Sequence, residues 1–302
     1  MMGKKVLLIG GAGYVGSGLV DDLSGHCELI VMDRSVGTVC EGVRTIEADA
    51  SVFDMTDILS TCECVIHLAS ESDVRKVGPG YGDGLRVTEN IVDCCESAGL
   101  KDLMFFSSSA VYGDNGWAAS EDIPCDPISD YGLMKSESEA IILSSSLEPI
   151  VLRPSNICGG NVTHGVVFDF FHQLILHPDY LRILGNGLQT KDFVHISDVV
   201  RFVRMCLDDW VTGVYNISNQ DPMDIIDLAH IVVETMGLKD VRFETGQGDR
   251  GWEGDVSRCH LLCDRALSKG WHPVYSSRDS VRDAVMSMMG DSGDRRRPNH
   301  GN

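Results

Sequence analysis

The chain has 302 residues, 43% of them hydrophobic, with 25 basic against 45 acidic residues and a net charge of −20. That is enough apolar material for one large domain or two smaller ones, while the charge repels nucleic acid and anionic membrane and obliges any anionic ligand to be met by local positive groups. No stretch reaches the roughly 18 apolar residues of a membrane span, and the apolar run after the lysines of "MMGKKVLLIGGAG" is too short for a signal peptide, so a cytoplasmic protein is expected. The acids are 31 Asp and 14 Glu against 8 Lys and 17 Arg, a bias compatible with a salty cytoplasm that screens self-repulsion. Eleven cysteines, an odd number scattered through apolar segments, read as reduced core thiols. "CEC" at Cys62 and Cys64 and "CHLLC" at Cys259 and Cys263 lack the histidine-supported spacing of a zinc site, so no metal is expected.

"KKVLLIGGAGYVGSGLVDDL" predicts a strand, a tight turn and a helix carrying Val15, Leu19 and Leu23 on one face. Gly10, Gly13 and Gly16 recur at three-residue spacing in that turn, where the backbone can approach a pyrophosphate at a helix N-terminus, with Tyr14 and Val15 in the first helical turn beside it. The next strand, "ELIVMD", ends on Asp33, 17 residues beyond Gly16, positioned to accept from ribose hydroxyls. Its charge repels a 2′-phosphate and favours NAD over NADP, although the adjacent Arg34 is able to bind one. "VRTIEAD" places Asp49, followed by Ala50, where a carboxylate can accept from an adenine amino group, and "CVIHLAS" ends on Leu68, Ala69 and Ser70 at the same sheet edge.

A helix is predicted over residues 83–98, with Thr88, Ile91, Val92, Cys95 and Ala98 on one face and Gly99 as its stop. "DLMFFSS" brings Ser107, Ser108 and Ser109 to the C-terminal end of a fifth strand, and "EPIVLRPS" is a sixth. Strands alternating with helices over 150 residues predict an α/β fold, a Rossmann-like doubly wound parallel sheet. We assign residues 1–160 to a dinucleotide-binding domain and 161–288 to a smaller substrate-binding lobe interleaved with it, including "LRILG", "DVVRFVRMCLDD" and "GVYNIS"; residues 289–302 are expected to be a disordered tail.

"DYGLMK" sets Tyr131 one helical turn before Lys135. With 7 tyrosines and 8 lysines in 302 residues, chance supplies roughly 0.2 such pairs, so the spacing gains meaning only from its setting after a dinucleotide motif and a serine-rich strand end. There an ammonium and a positive nicotinamide ring would lower the phenol's pKa, and a serine would hold the substrate hydroxyl.

These motifs, with "LRPSNICGG", "GNGLQTKDFVHISDVV" and "GWEGDVSRCHLLCDRALSKGWHP", cover about residues 4–285 and resemble the extended short-chain dehydrogenase/reductase family, within it the NAD-dependent sugar-nucleotide epimerases and dehydratases, most closely the UDP-hexose 4-epimerases. The resemblance implies NAD as cofactor, touched also by Ser107, and Ser108, Tyr131 and Lys135 as the catalytic triad. It implies substrate contacts from Ser108 and Ser109, from Asn156 and Lys191 to the diphosphate, from Asp255 to the uridine ribose, and from Arg250, two residues before the Trp252 that stands at the expected phosphate arginine. Cys259 falls beside the sugar's C2 substituent, where a small residue leaves room for an N-acetyl group. Gly84 stands where the family commonly has asparagine, and the loop after "ASESDVR" is about four residues shorter than usual. A homodimer through helices 83–98 and 130–146 is implied as well. Ser109 and Ala110 replace the Asp-Glu pair of the 4,6-dehydratases, and Ala110 the glutamate of decarboxylating members, which points to a redox-neutral 4-epimerase. The alternatives are a dehydratase, decarboxylase or 4-keto reductase of the same family, or a non-catalytic NAD-binding sensor.

Overall fold

The computed structural model describes residues 3–37, 42–70 and 80–294. β1 (Lys5–Ile9) passes through the glycine turn into α1 (Tyr14–Leu23), followed by β2 (Glu28–Asp33), β3 (Arg44–Glu47), the short α2 (Thr56–Leu59) and β4 (Cys64–His67). Next come α3 (Gly80–Ala98), β5 (Asp102–Phe106), a 3₁₀ segment at Ser109–Asn115, β6 (Trp117–Ala119), α4 (Asp130–Ser144) and β7 (Glu148–Pro154). The second half contains β8 (Asn156–Cys158), α5 (Val166–Leu176), β9 (Tyr180–Ile183), β10 (Thr190–Lys191), β11 (Phe193–His195), α6 (Ile196–Asp208) and β12 (Gly213–Ile217). It closes with β13 (Met223–Asp224), α7 (Ile225–Thr235), β14 (Arg242–Thr245), β15 (Arg258–Leu261), α8 (Asp264–Ser268) and α9 (Ser277–Asp294).

Seven strands form the central sheet in the order β12-β7-β5-β4-β1-β2-β3, every neighbouring pair parallel. Both faces are covered, which is why these strands read as continuous apolar runs. In β1 the side chains alternate: Val6 and Leu8 enter one core with Leu19, Val199 and Phe202, while Leu7 and Ile9 enter the other with Met55, Ile91 and Ile142. The strand order reverses at β1, so the crevice for a ligand opens there, outside the carboxyl ends of the strands.

Two segments assigned to the substrate lobe belong instead to this body. β12 pairs with β7 from Gly213↔Ile150 to Ile217↔Pro154 and is an edge of the central sheet. α6 buries Val199, Phe202 and Val203 in the core shared with α1, each such side chain contributing about 1.5–3 kcal/mol. The lobe proper is a third core, built from α5, β9, α7 and α9 through Phe170, Phe171, Leu181, Leu228 and Val285. The expected tail also starts later, because α9 runs to Asp294: Val281, Val285 and Met288 anchor it in that core and the helical ladder carries on past the last of them. Residues 295–302 and the shortened loop within 71–79 lie outside the described residues.

The ten described cysteines are free thiols, and all but Cys27 and Cys125 are buried. No helix among the described residues is long and apolar enough to cross a membrane, and no cluster of His, Cys, Asp or Glu among them is arranged to hold a metal ion.

Candidate active site

A cavity of about 1150 Å³ runs along the C-terminal edge of the sheet and under the lobe. It exceeds the usual range of about 300–1,000 Å³ for a site holding one small molecule. At the dinucleotide end it is lined by Gly10, Gly13, Tyr14, Val15, Asp33, Arg34, Asp49, Ala50, Leu68, Ala69 and Ser70. Ser107, Ser108, Ser109, Tyr131 and Lys135 form its middle, and Asn156, Lys191, Asp255 and Cys259 line the side facing the lobe.

The turn after β1 is shaped for close approach. Gly10 sits at φ +84°, and a Cβ there would lie 2.6 Å from the backbone nitrogen of Ala69. Gly13 is the N-cap of α1 and makes no side-chain cap, and the first turn of the helix, Tyr14 to Gly16, lines the cavity. Asp33 Oδ2 accepts from the Ala12 N–H at 3.0 Å, tying the end of β2 to this turn. Asp49 is held by Ser51, whose N–H and hydroxyl donate to Oδ1 at 2.9 and 2.7 Å. These bonds, chiefly the backbone one, hold its carboxyl below the ordinary value. Tyr14 donates to the Gly159 carbonyl at 2.6 Å, and burial pushes its phenol far up, so it bridges the two halves of the site as a neutral group.

The middle of the cavity depends on how α4 meets the 3₁₀ segment. Ser129 caps α4 by accepting from the Gly132 N–H at 3.1 Å. A Cβ on Gly132 would stand 2.6 Å from the Ala110 carbonyl oxygen, so only glycine lets the helix start this close to the serine-rich turn. Tyr131 is thereby set beside Ser108, which itself accepts the Ala110 N–H at 3.2 Å. Lys135 is 2% exposed, donates to the Phe106 carbonyl at 2.7 Å, and lies 5.8 Å from the centre of the Tyr131 ring. Burial pushes its ammonium down to about 7, against the attraction of Glu139. The phenol of Tyr131 is raised by burial, with Ser108 pulling the other way. The lowering expected from Lys135 together with a nicotinamide ring is opposed by burial, which is the larger influence of the protein itself on this phenol.

On the lobe side, β10 and β15 run parallel with Lys191 opposite Cys259. Asp192 fixes the junction, accepting from the Ser218 hydroxyl at 2.8 Å and the Leu261 N–H at 2.9 Å. Lys191 pairs with Asp255 at 2.9 Å, and Asn156 donates to the Asp192 carbonyl at 3.1 Å. The thiol of Cys259 is 4% exposed, lies beside Ser109, and is raised by burial, hence neutral. Arg250 is the one expected contact that does not line the cavity. Its guanidinium is taken by Asp114, at 2.8 and 3.0 Å, and by the Asp255 carbonyl at 2.8 Å, leaving Trp252 to face the space. A Cβ on Gly84 would meet the sulfur of Met134, so a larger residue there requires that flexible side chain to shift. Sequence reasoning missed Arg182, Gln189 and His164 on the wall, since nothing in their own segments marks which strand or loop folds over the crevice.

Residues 6–218 match the model of the NAD dependent epimerase/dehydratase family. The chain belongs to that family. Among its relatives, the putative UDP-glucose 4-epimerase of Methanocaldococcus jannaschii is 28% identical, over 94% of this chain and 98% of the relative. The UDP-glucose 4-epimerase of Mycolicibacterium smegmatis is 29% identical, over 93% and 97%. A solved structure of MoeE5 in complex with UDP-glucose and NAD superposes with a TM-score of 0.86 at 25% identity, covering 95% of this chain and 99% of that one. NAD is the cofactor of this family member, and the open glycine turn with a carboxylate at the end of β2 fits it.

Gly10→Ala is expected to leave a folded protein that has lost NAD, because the added methyl enters both the strained backbone and the Ala69 contact. Acid extraction of the purified variant should release less than a tenth of the nucleotide obtained from wild type; full retention would show that the turn does not carry the cofactor.

Proposed function

We propose that the protein is a nucleotide-sugar 4-epimerase, interconverting UDP-glucose and UDP-galactose through a 4-keto sugar. The observation that carries this reading is the set of Ser108, Tyr131 and Lys135 on the cavity wall, followed by Ser109 and Ala110, which offer no carboxylate beside them. Loss of water from a sugar needs a further acid and base next to the tyrosine, whereas epimerisation at C4 needs one proton carrier and room for the sugar to turn. The activities for which the M. jannaschii and M. smegmatis relatives are named support the same choice.

NAD, when bound, supplies the hydride acceptor and the returning hydride. Tyr131 takes the C4 hydroxyl proton on the outward stroke and restores it on the return, while Ser108 holds the sugar oxygen within reach of the phenol. Lys135 in its ammonium form stabilises the phenolate that the reaction requires. Asn156 and Lys191 hold the diphosphate about which the ketone swings, so the two faces of C4 are presented in turn. For this Lys191 must share its charge between the diphosphate and Asp255, with which it is paired.

The test is to incubate the protein with UDP-, dTDP- and GDP-hexoses and resolve the products by chromatography. 4-Epimers of the UDP sugars are expected; dehydrated sugars, or no product with any donor, would refute the reading. Tyr131→Phe should lower turnover at least about a thousandfold with NAD still bound, since it removes the proton carrier and little else. Cys259→Tyr should abolish turnover of the UDP-N-acetylhexosamine pair while sparing the plain hexoses, if the small thiol is what leaves room at C2; equal loss on both pairs would assign Cys259 to the core. We further propose a homodimer through α3 and α4, where Leu133 and Leu143 remain 41% and 49% exposed on α4. Sedimentation should give a dimer at micromolar concentration, and a monomer there would exclude it.

A further inference from the structure

Among the described residues, Tyr14 is the only hydrophobic side chain that packs against both the core shared by α1 and α6 and the lobe core of α5, α7 and α9. Its hydroxyl donates to the Gly159 carbonyl at 2.6 Å, and burial keeps the phenol protonated to do so. Gly159 opens the segment 159–165 between β8 and α5, in which Val162, Thr163, His164 and Gly165 line the cavity. His164 stands edge-on to the Tyr14 ring, with centroids 6.2 Å apart. The segment therefore meets the first residue of α1 and walls the space beside the glycine turn.

From the other side the segment is fixed to the lobe. Gly159 and Gly160 are both left-handed, at φ +95° and +57°. Asp283 of α9 accepts the Gly160 N–H at 2.7 Å and lies 3.1 Å from His195 Nε2. A Cβ on Gly159 would collide with that nitrogen, so the turn sits against the imidazole without slack. A turn held this firmly moves with the lobe, while Tyr14 moves with α1. The bond from the hydroxyl to the carbonyl is thus the joint across which the two would part. We propose that this bond is a latch holding the 159–165 segment against the glycine turn while NAD is bound, so that Tyr14 sets how fast the cofactor leaves. The inference rests on NAD as the cofactor and is independent of which sugar is turned over.

The measurement is the exchange of bound NAD in the purified, NAD-loaded full chain. Excess isotopically labelled NAD is added, and the label bound after rapid desalting is followed by mass spectrometry. Tyr14→Phe keeps the ring and takes the donor away from the buried Gly159 carbonyl, so exchange is expected to be about tenfold faster than in wild type. Asp283→Ala frees the turn on its lobe side and should speed exchange as well. Ile231→Val, which thins the lobe core on α7 away from the cavity, is the control for a merely structural role: its urea midpoint should fall while NAD leaves at the wild-type rate. Exchange at the wild-type rate in Tyr14→Phe overturns the proposal. So does equal acceleration in Ile231→Val, which would trace release to general loosening of the lobe. Where Tyr14→Phe does not fold, Asp283→Ala decides on the same criterion; failure of both to fold also overturns the proposal, because the contact would then be a folding element.

Discussion

Everything at the site depends on one constraint: seven strands that all point the same way, with the order reversing at β1. Parallel strands deliver their carboxyl ends to a single edge, and at the reversal the connecting helices leave toward opposite faces. The glycine turn, Asp33, Asp49, Ala69 and the three serines after β5 are far apart in the chain, yet each lies at the end of a strand or just beyond it. No long-range side-chain interaction has to gather them.

Charge is handled sparingly inside a strongly acidic chain. Of the cations on the cavity wall, Lys191 is paired with Asp255, and two further guanidiniums close to the site are turned to carboxylates, Arg250 to Asp114 and Arg153 to Glu139, while Arg34 and Arg182 line the cavity itself. An anion reaching Lys191 therefore competes with the Asp255 carboxylate already in place. Exposed pairs such as Arg250 with Asp114 contribute little to stability. Their consequence is geometric, since this one withdraws a guanidinium from the cavity and leaves an indole facing it.

Burial sets the protonation states around the tyrosine. Tyr131 is raised and Lys135 lowered to about 7 by the same desolvation, so two groups of similar proton affinity in water are driven apart, the phenol holding its proton and the lysine yielding its own. A cationic ring nearby would act against the shift of Tyr131, because a neighbouring positive charge favours the phenolate. His67, neutral and hydrogen-bonded to Thr88 at 3.1 Å, closes the back of the site without adding a charge of its own.

The sequence by itself determined the strands of the sheet, the glycine turn, Asp33 and the Ser108, Tyr131 and Lys135 set, because each is written in a local pattern: an apolar run, a three-residue glycine spacing, a four-residue helical spacing. It also placed Cys259 on the cavity, through resemblance over a long stretch. Only the tertiary structure decided where β12 and α6 belong, since a short strand such as "GVYNIS" reads the same in a lobe or at a sheet edge, and its partner β7 lies about 60 residues earlier in the chain. The same holds for Arg250, whose partner Asp114 is remote in sequence, and for the protonation of Tyr131, which is set by how deeply α4 is buried. Periodicity reports which face of an element is apolar; it carries no record of what lies across from that face, and pairings between distant residues are settled there.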